Sequence, residues 1–346
     1  MRGTTVDDAR VVTPAAHGST SDVAQDVRAY LARRARWHAG EIAFWALAAL
    51  SLVALPGKHL ILTEIAILAL FALSLDLILG YAGILSLGHA AFFGMGAYAA
   101  GLLAKHGIVS DPVLGLIASG LAAALLGFAT SFLVLRGSDL TRLMVTLGVA
   151  LVLREIANRY ASLTGGADGL QGITIAPLFG RFAFDIAGHL AYAYSLAVLL
   201  ILFVAARRLV HSPFGLSLRS IRANSMRASA IGIPVKARLV AIYTVAALYA
   251  GVAGALLTQT SQFCSLDVLS FERSADLLLV LILGGIGYLY GGLVGAVVFK
   301  LMQDWLAAIT PQYWQFWIGL MLVAIVLVGR DRFAAWLSPL RRRTRS

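Results

Sequence analysis

The stretch "LLLVLILGGIGYLYGGLVGAVVF" (277–299) decides how often this chain crosses a membrane. It is long enough for one spanning helix, which needs about 20 apolar residues. Glycines interrupt it near 284–292, and glycine is unfavourable inside a helix. The stretch therefore holds either one pass or two short passes that turn at these glycines. If the second part is helical, one of its faces is lined by Gly287, Gly291 and Gly295.

The composition of the whole chain is typical of a membrane protein. Of its 346 residues, 60% are hydrophobic and only 13% are charged, which is too apolar for a soluble fold of this size. We therefore predict an all-α polytopic membrane protein with about ten transmembrane segments, several of them short or broken. These segments lie near 41–56, 60–80, 83–104, 113–135, 139–160, 190–206, 237–259, 274–286, 291–308 and 313–329.

Basic residues outside these segments indicate the topology. Seven Lys and Arg residues lie in 207–238, and positively charged loops stay on the cytoplasmic side. The two other basic clusters lie before the first segment (Arg28, Arg33, Arg34, Arg36) and at the end of the chain (Arg341, Arg342, Arg343, Arg345). All three regions share one side only if 277–299 is two passes. We therefore expect ten passes and cytoplasmic N- and C-termini.

The two tails, the net charge and the single cysteine limit the functions that this chain can have. Residues 1–40 form a polar tail that we expect to be disordered, and residues 331–346 form a basic tail. The net charge of +11 does not indicate nucleic-acid binding, because the arginines lie where segments leave the membrane. Cys264 is the single cysteine, which excludes an intrachain disulfide.

The loop between the sixth and seventh segments contains basic residues and, over 212–238, no acidic residue. Ser212 and Pro213 are typical of a helix start, and Gly232 with Pro234 is typical of a helix end. We predict one short basic helix between them. The residues alone leave open a solvated loop, a helix on anionic lipid and a docking helix for a cytoplasmic partner. One stripe of this helix would hold Leu218, Ile221 and Ser225.

Four glycine-rich segments in a fixed order carry a family resemblance. They are "GYAGILSLGHAAFFGMGAYAAGLLA" (80–104), "LTGGADGLQGI" (163–173), "SPFGLSLRSIRANSMRASAIGIP" (212–234) and "LILGGIGYLYGGLVGA" (281–296). Each segment alone has low specificity, but the set resembles the membrane permease of branched-chain amino acid ABC importers, of the LivM type. The resemblance covers about residues 60–300. It implies a permease domain over 41–330 with a cytoplasmic coupling loop at 207–238.

The resemblance also implies partners and a location. Such a subunit resides in the bacterial plasma (inner) membrane and translocates branched-chain amino acids or related small carboxylates. Its partners would be a second, LivH-like permease subunit, two cytoplasmic ATPase subunits, an external binding protein and membrane lipid. We expect no cofactor in this subunit, with ATP bound by the ATPases, since the chain has no phosphate-binding G-x-x-x-x-G-K-[ST] motif.

The resemblance makes 212–234 the coupling helix that contacts the ATPase. The candidate coupling residues are Arg219, Arg222, Asn224, Ser225, Arg227 and Gly232. Acidic residues are common in the family where Ala223, Ser225 and Ser229 stand here. This departure leaves open which ATPase the helix contacts.

Buried polar groups are the candidates for a translocation path: Asp76, Ser86 and His89. A charge near the middle of a bilayer costs on the order of 3 kcal/mol, so a carboxylate inside a span is a candidate for a role in translocation. The alternative for Asp76 is a position at the membrane interface. A packing role is the alternative for His89. The glycines of 80–104 indicate a broken or kinked helix, which is common where a path crosses a membrane; plain helix packing is the alternative.

A glycine-rich turn, "TGGADGL" (164–170), is predicted on the outer side. It would expose backbone amides, and the resemblance places it near the mouth that receives substrate; a purely structural turn is the alternative. The residues singled out are Thr164, Gly165, Gly166 and Asp168.

The sequence contains no catalytic constellation and no metal-ligand spacing among its seven histidines, so we expect neither an enzyme nor a metal site. A self-contained secondary transporter of small polar solutes is the alternative function. It would be expected to show buried coupling carboxylates and an inverted repeat. The sequence offers one candidate carboxylate, Asp76, and no convincing repeat.

Overall fold

The computed structural model describes residues 39–178, 180–182, 185, 187–313, 315–320 and 323. These residues are mostly α-helical, and within them β structure is limited to two isolated bridges. The predicted polar tail, apart from residues 39 and 40, and the predicted basic tail lie outside the described residues. Within the predicted last span, residues 315–320 are helical.

The helices of the described residues follow the predicted apolar segments closely. They are α1 (Ala39–Ala54), α2 (His59–Ala82), α3 (Ala90–Lys105), α4 (Pro112–Val134), α5 (Asp139–Arg159), α6 (Ala161–Thr164), α7 (His189–Val210), α8 (Pro213–Ala223), α9 (Ser225–Ala230), α10 (Val235–Ser261), α11 (Phe271–Gly284) and α12 (Leu289–Ile309). Five of them, α2, α4, α7, α10 and α12, are long and apolar enough to cross a membrane. The all-α, multi-pass membrane character is therefore confirmed, while the count of ten passes stays a prediction.

Helices α2 and α10 form the centre of the bundle. In the most apolar window of each, 72% of the residues are buried, against 33%, 39% and 28% for α4, α7 and α12. Small residues allow this packing, since helices in lipid associate through close backbone approach. A side chain on Gly96 of α3 would collide with the backbone of Gly251 in α10, and one on Gly254 would collide with the backbone of Phe93.

The stretch 277–299 contains parts of two helices, which is the second of the two alternatives that its glycines left open. Helix α11 ends at Gly284 and α12 begins at Leu289, and the turn between them includes Gly285 with φ 103° and Gly287 with φ 85°. The expectation that Gly287 shares a helix face with Gly291 and Gly295 is wrong, because Gly287 lies in this turn. Its positive φ is a conformation that glycine adopts without strain.

The predicted span 83–104 is broken, as its glycines indicate. Residues 83–89 are not helical, and α3 begins only at Ala90. The Nε2 atom of His89 lies 2.8 Å from the hydroxyl of Ser74, which is about two turns before the end of α2. The chain therefore turns back into the bundle after α2, and α3 starts inside it. We call residues 83–89 the re-entrant segment.

The two ends of the bundle are distinguished by their ion pairs. At one end, Arg207 near the end of α7 pairs with Glu41 at the start of α1, with 2.6 Å between Nη1 and Oε2. The connecting helices α8 and α9 lie at this end, which we call the basic end. At the opposite end, the ammonium of Lys300 in α12 lies 2.6 Å from the carboxylate of Glu64 in α2.

Candidate functional site

The basic loop contains two helices rather than the single helix predicted for 212–234. Helix α8 ends at Ala223, Asn224 is extended with φ −163° and ψ 106°, and α9 begins at Ser225. The side-chain oxygen of Asn224 accepts a hydrogen bond from the backbone N–H of Arg227 at 2.9 Å. Asparagine caps helix N-termini in this way, so Asn224 starts a new helix and creates an elbow.

The elbow separates an inward face from an outward face. Leu218 and Ile221 on α8 are buried, with 1% and 5% of their surface exposed. Ser225, predicted to share their stripe, is exposed, because the elbow changes the helix direction before it. The inward face thus anchors α8 to the bundle, and α9 projects from it.

Two of the predicted coupling residues contact α2. The guanidinium of Arg219 lies over the ring of Tyr81, 5.3 Å from its centroid, a distance typical of a cation–π contact. Arg222 donates a hydrogen bond from Nη1 to the carbonyl of Gly80. Both side chains therefore reach the last turn of α2 from α8.

The turn between α11 and α12 meets the same place. The backbone N–H of Gly287 donates to Oδ1 of Asp76 at 2.7 Å, and Asp76 is fully buried. A side chain on Gly287 would bring Cβ to 3.2 Å from Nη1 of Arg222. Three elements, the end of α2, helix α8 and the α11–α12 turn, therefore meet at Asp76, Gly80, Arg222 and Gly287. We call this set the joint.

The outward face carries two large apolar side chains that sequence reasoning missed. Met226 is 84% exposed and Ile231 is 71% exposed, and Arg227 and Lys236 beside them are also exposed. Gly232 closes this face with φ 87°. We call Met226, Arg227, Ile231 and Lys236 the outward patch. The sequence did contain a signal for this face, because asparagine is typical of helix N-caps. A new helix that begins after Asn224 has a different direction from α8, and Met226 is therefore exposed.

The three predicted translocation residues do not come together. Asp76 belongs to the joint, whereas His89 and Ser86 lie in the re-entrant segment and are fully buried. The ring of His89 stacks on that of Phe71, 5.7 Å between centroids. Among the described residues, the Ser86 hydroxyl and the Nδ1 atom of His89 have no hydrogen-bond partner.

The predicted outer turn is a compact turn at the opposite end. The hydroxyl of Thr164 donates to the carbonyl of Tyr160 at 2.9 Å, and Gly165 and Gly166 have positive φ angles of 80° and 55°. Asp168 is exposed at the end of a short 3-10 helix, Gly166–Asp168. The turn is held to the α10–α11 connection by the hydrogen bond from Leu170 N–H to the carbonyl of Cys264 at 2.7 Å.

A cavity of about 330 Å³ lies at the opposite end. Helices α2, α3, α10, α11 and α12 line it, and its polar side chains are Glu64, Arg273, Asp276, Lys300 and Gln303. None of these five side chains was predicted from the sequence as a candidate site residue. A signal was present: Arg273 and Asp276 are one turn apart on α11, and Lys300 interrupts an apolar run.

Within the described residues, no three His, Cys, Asp or Glu side chains converge to hold a metal ion. Cys264 is a free thiol with 1% of its surface exposed.

Residues 59–326 match the family model described as "Branched-chain amino acid transport system / permease component". This match covers more than half of the chain. The chain belongs to this permease family. No solved structure matches the chain.

Two curated relatives support the assignment. The high-affinity branched-chain amino acid transport system permease protein LivM of Salmonella typhimurium is 30% identical, with 72% of this chain and 64% of that protein covered. The LivM protein of Escherichia coli is 29% identical, with 68% of this chain and 61% of that protein covered. The chain thus spans a little over three fifths of the length of these relatives.

Proposed function

We propose that this protein is the permease subunit of an ATP-driven ABC importer in the bacterial plasma (inner) membrane. It translocates branched-chain amino acids, or related small carboxylates, that an external binding protein delivers. Membership of the permease family carries this proposal. The two curated relatives are named as permease proteins of high-affinity branched-chain amino acid transport.

The topology that we propose has ten passes with both termini in the cytoplasm. The interruption between Gly284 and Leu289 supports it, because two passes there bring the basic end and the C-terminal arginines to one side. The basic end is then cytoplasmic, and the cavity opens toward the outside. In this topology the outer turn at Thr164, Gly165, Gly166 and Asp168 lies on the outer side of the membrane, which is the side toward which the cavity opens.

The assembly that we propose contains a second, LivH-like permease subunit, two cytoplasmic ATPase subunits and the external binding protein. This subunit has no enzymatic activity and holds no cofactor of its own, since ATP is bound by the ATPases. Apolar side chains exposed along α4 and α5, such as Leu125, Phe132 and Val152, suit contact with lipid or with the second permease subunit.

The ATPase contacts the outward patch. Met226 and Ile231 present apolar surface beyond the elbow, and Arg227 and Lys236 add positive charge. Large apolar side chains exposed on a polar loop mark interaction sites. The complementary groove on the ATPase therefore has an apolar pocket with acidic residues at its rim. Asn224 and Ser225 shape this contact by starting α9 outside the bundle.

The joint carries the movement of the ATPase into the membrane domain. A displacement of α8 pulls on the end of α2 through Arg219 and Arg222. The same displacement reaches the α11–α12 turn, because Gly287 is bonded to Asp76 beside Arg222. Small shifts at a packed interface become larger helix movements in this way.

Co-purification tests which face of the basic loop binds the ATPase. The chain is expressed with its partner permease and candidate ATPases and purified through a tag on this subunit. Met226→Asp and Arg227→Glu, on the outward patch, are expected to release the ATPase. Arg222→Met removes the hydrogen bond that ties α8 to α2 at the joint and leaves that patch intact, so this matched variant is expected to retain the ATPase. Retention of the ATPase by both outward variants, or absence of ATPase with the unaltered chain, would contradict the proposal.

A self-contained secondary transporter is the second candidate function. The observation that favours it is the pair of acidic side chains inside the bundle, the fully buried Asp76 and the half-buried Asp276. Carboxylates within a membrane domain serve as proton or ion relays in such transporters. Uptake driven by an ion gradient in vesicles without ATP or ATPase would support this function and exclude the first.

A further inference from the structure

The cavity at the opposite end has the size and position of a ligand site. Its volume of about 330 Å³ lies at the small end of the range of roughly 300–1,000 Å³ for small-molecule pockets. It lies between the second turn of α2, at Glu64, the start of α11 and the later turns of α12.

The floor of the cavity is apolar and aromatic. Phe71, Phe93 and Phe299 line it and are buried, with 2%, 3% and 2% of their surfaces exposed. The rings of Phe71 and Phe93 lie 4.5 Å apart, and Phe71 stacks on His89 beneath. This floor separates the cavity from the re-entrant segment and offers an aliphatic side chain an apolar surface.

The charged groups of the cavity are not equivalent. Lys300 is held by Glu64 at 2.6 Å and by Asp304 at 3.6 Å. Arg273 and Asp276, by contrast, make no side-chain hydrogen bond or ion pair with any residue that the structure describes. They lie three positions apart on α11, so both face the cavity. Asp276 is half-buried, and Arg273, one turn away, is exposed and attracts it electrostatically. Both groups keep hydrogen-bonding capacity that a ligand in the cavity can use.

We propose that this cavity binds an α-amino acid with an aliphatic side chain as its zwitterion. The ammonium group donates to the carboxylate of Asp276, and the guanidinium of Arg273 donates to the ligand carboxylate, the group that guanidinium recognises best. The aliphatic side chain packs on Phe71, Phe93 and Phe299. This inference rests on the proposed function and adds to it a substrate site inside the permease, which selects for both charges of the ligand independently of the external binding protein.

Both charges matter because a missing ligand charge leaves a protein charge unpaired. A site built around paired polar groups rejects analogues that lack one of them much more strongly than analogues of different aliphatic length. L-leucine is therefore expected to bind, whereas 4-methylpentanoate, which lacks the amine, and 3-methylbutan-1-amine, which lacks the carboxylate, are not.

Thiol labelling of the assembled permease–ATPase complex in lipid nanodiscs, without the external binding protein, tests the site. The reporter is Gln303→Cys in the cavity, with Leu257→Cys as a second reporter; the native Cys264 is buried and sets the background. At a leucine concentration of about ten times Kd, labelling is expected to slow about tenfold, because its rate falls as 1 + [L]/Kd. The two analogues leave the rate unchanged, and Asp276→Asn or Arg273→Gln removes the protection.

Several outcomes would overturn the site. These are equal protection by L-leucine and either analogue, no protection by L-leucine at either reporter, or reporters that react no faster than Cys264 before ligand is added. The site alone is overturned if labelling is insensitive to L-leucine in a complex that holds its ATPase and imports L-leucine with ATP. A chain that binds no ATPase instead overturns the proposed function.

Discussion

The joint and the cavity use charged side chains in opposite ways. At the joint, Arg222 donates to the backbone carbonyl of Gly80 and Asp76 accepts from the backbone N–H of Gly287, so each side chain is bonded to another element. In the cavity, Arg273 and Asp276 make no side-chain hydrogen bond or ion pair with the described residues and face open volume. Charges bonded to backbone fix elements to one another, whereas charges left facing a cavity are available to a ligand. The difference separates a mechanical region from a recognition region.

The largest expected effect comes from a substitution in the re-entrant segment. This segment joins α2, which contributes to the joint, to α3, which contributes to the cavity floor. A side chain on Gly88 of the re-entrant segment would collide with the backbone of Thr146 in α5. Gly88→Ala is expected to destabilise the protein by at least about 3 kcal/mol, because helix backbone cannot move aside cheaply. The yield of monodisperse protein after detergent extraction and the Tm measure this effect, and both should fall sharply.

The matched control for that variant lies on the helix that Gly88 contacts. Gly148 of α5 has open space around its Cα, so Gly148→Ala is expected to be neutral or to stabilise by less than about 1 kcal/mol. If Gly88→Ala and Gly148→Ala had the same yield and Tm, the close packing of the re-entrant segment would be wrong.

An intermediate effect is expected from Asp76. Asp76→Ala leaves the N–H of Gly287 without its acceptor in a buried position, which costs about 1–3 kcal/mol, and loosens the joint. Asp76→Asn keeps an oxygen acceptor and is expected to lower the Tm and ATP-driven uptake much less. Equal loss of uptake in both variants would show that the charge of Asp76, rather than its hydrogen bond, is required, against a purely mechanical joint.

The smallest effect is expected from Gly287. Gly287→Ala places a side chain at φ 85°, and Gly172→Ala does so at φ 74° with open space around it. Each variant is strained by about 1–2 kcal/mol, so the two should lose similar Tm. Only Gly287→Ala brings Cβ near Arg222, and only it should reduce uptake. A similar loss of uptake in Gly172→Ala would remove the link between the joint and transport.

Much of the fold could be predicted, because the local pattern of apolar residues and glycines determines where helices lie and where they are interrupted. Most of the apolar segments contain a helix of the described residues, and the interruptions at 83–89 and 285–288 lie where glycines cluster. The elbow at Asn224 was missed, because no Gly or Pro marks it and a capping side chain competes with helix continuation there. Local pattern predicts a helix on both sides and does not decide between one helix and two.

The site was harder to predict because its contacts join distant parts of the chain. The inward direction of Arg222 depends on where the last turn of α2 lies, and the cavity depends on α2, α11 and α12 packing together. Asp76 was singled out as a buried charge, yet its partner Gly287 is far away in sequence. A single sequence does not specify such pairings.

ATP-driven uptake of L-leucine into proteoliposomes tests the central claim most directly. The vesicles contain the assembled transporter with the external binding protein, and uptake and ATP hydrolysis are measured together. The unaltered chain is expected to import L-leucine only with ATP, and Arg222→Met is expected to retain the ATPase and its hydrolysis while losing most uptake. Uptake that proceeds without ATP, or that is unchanged in Arg222→Met, would contradict an ATP-driven permease coupled through the joint.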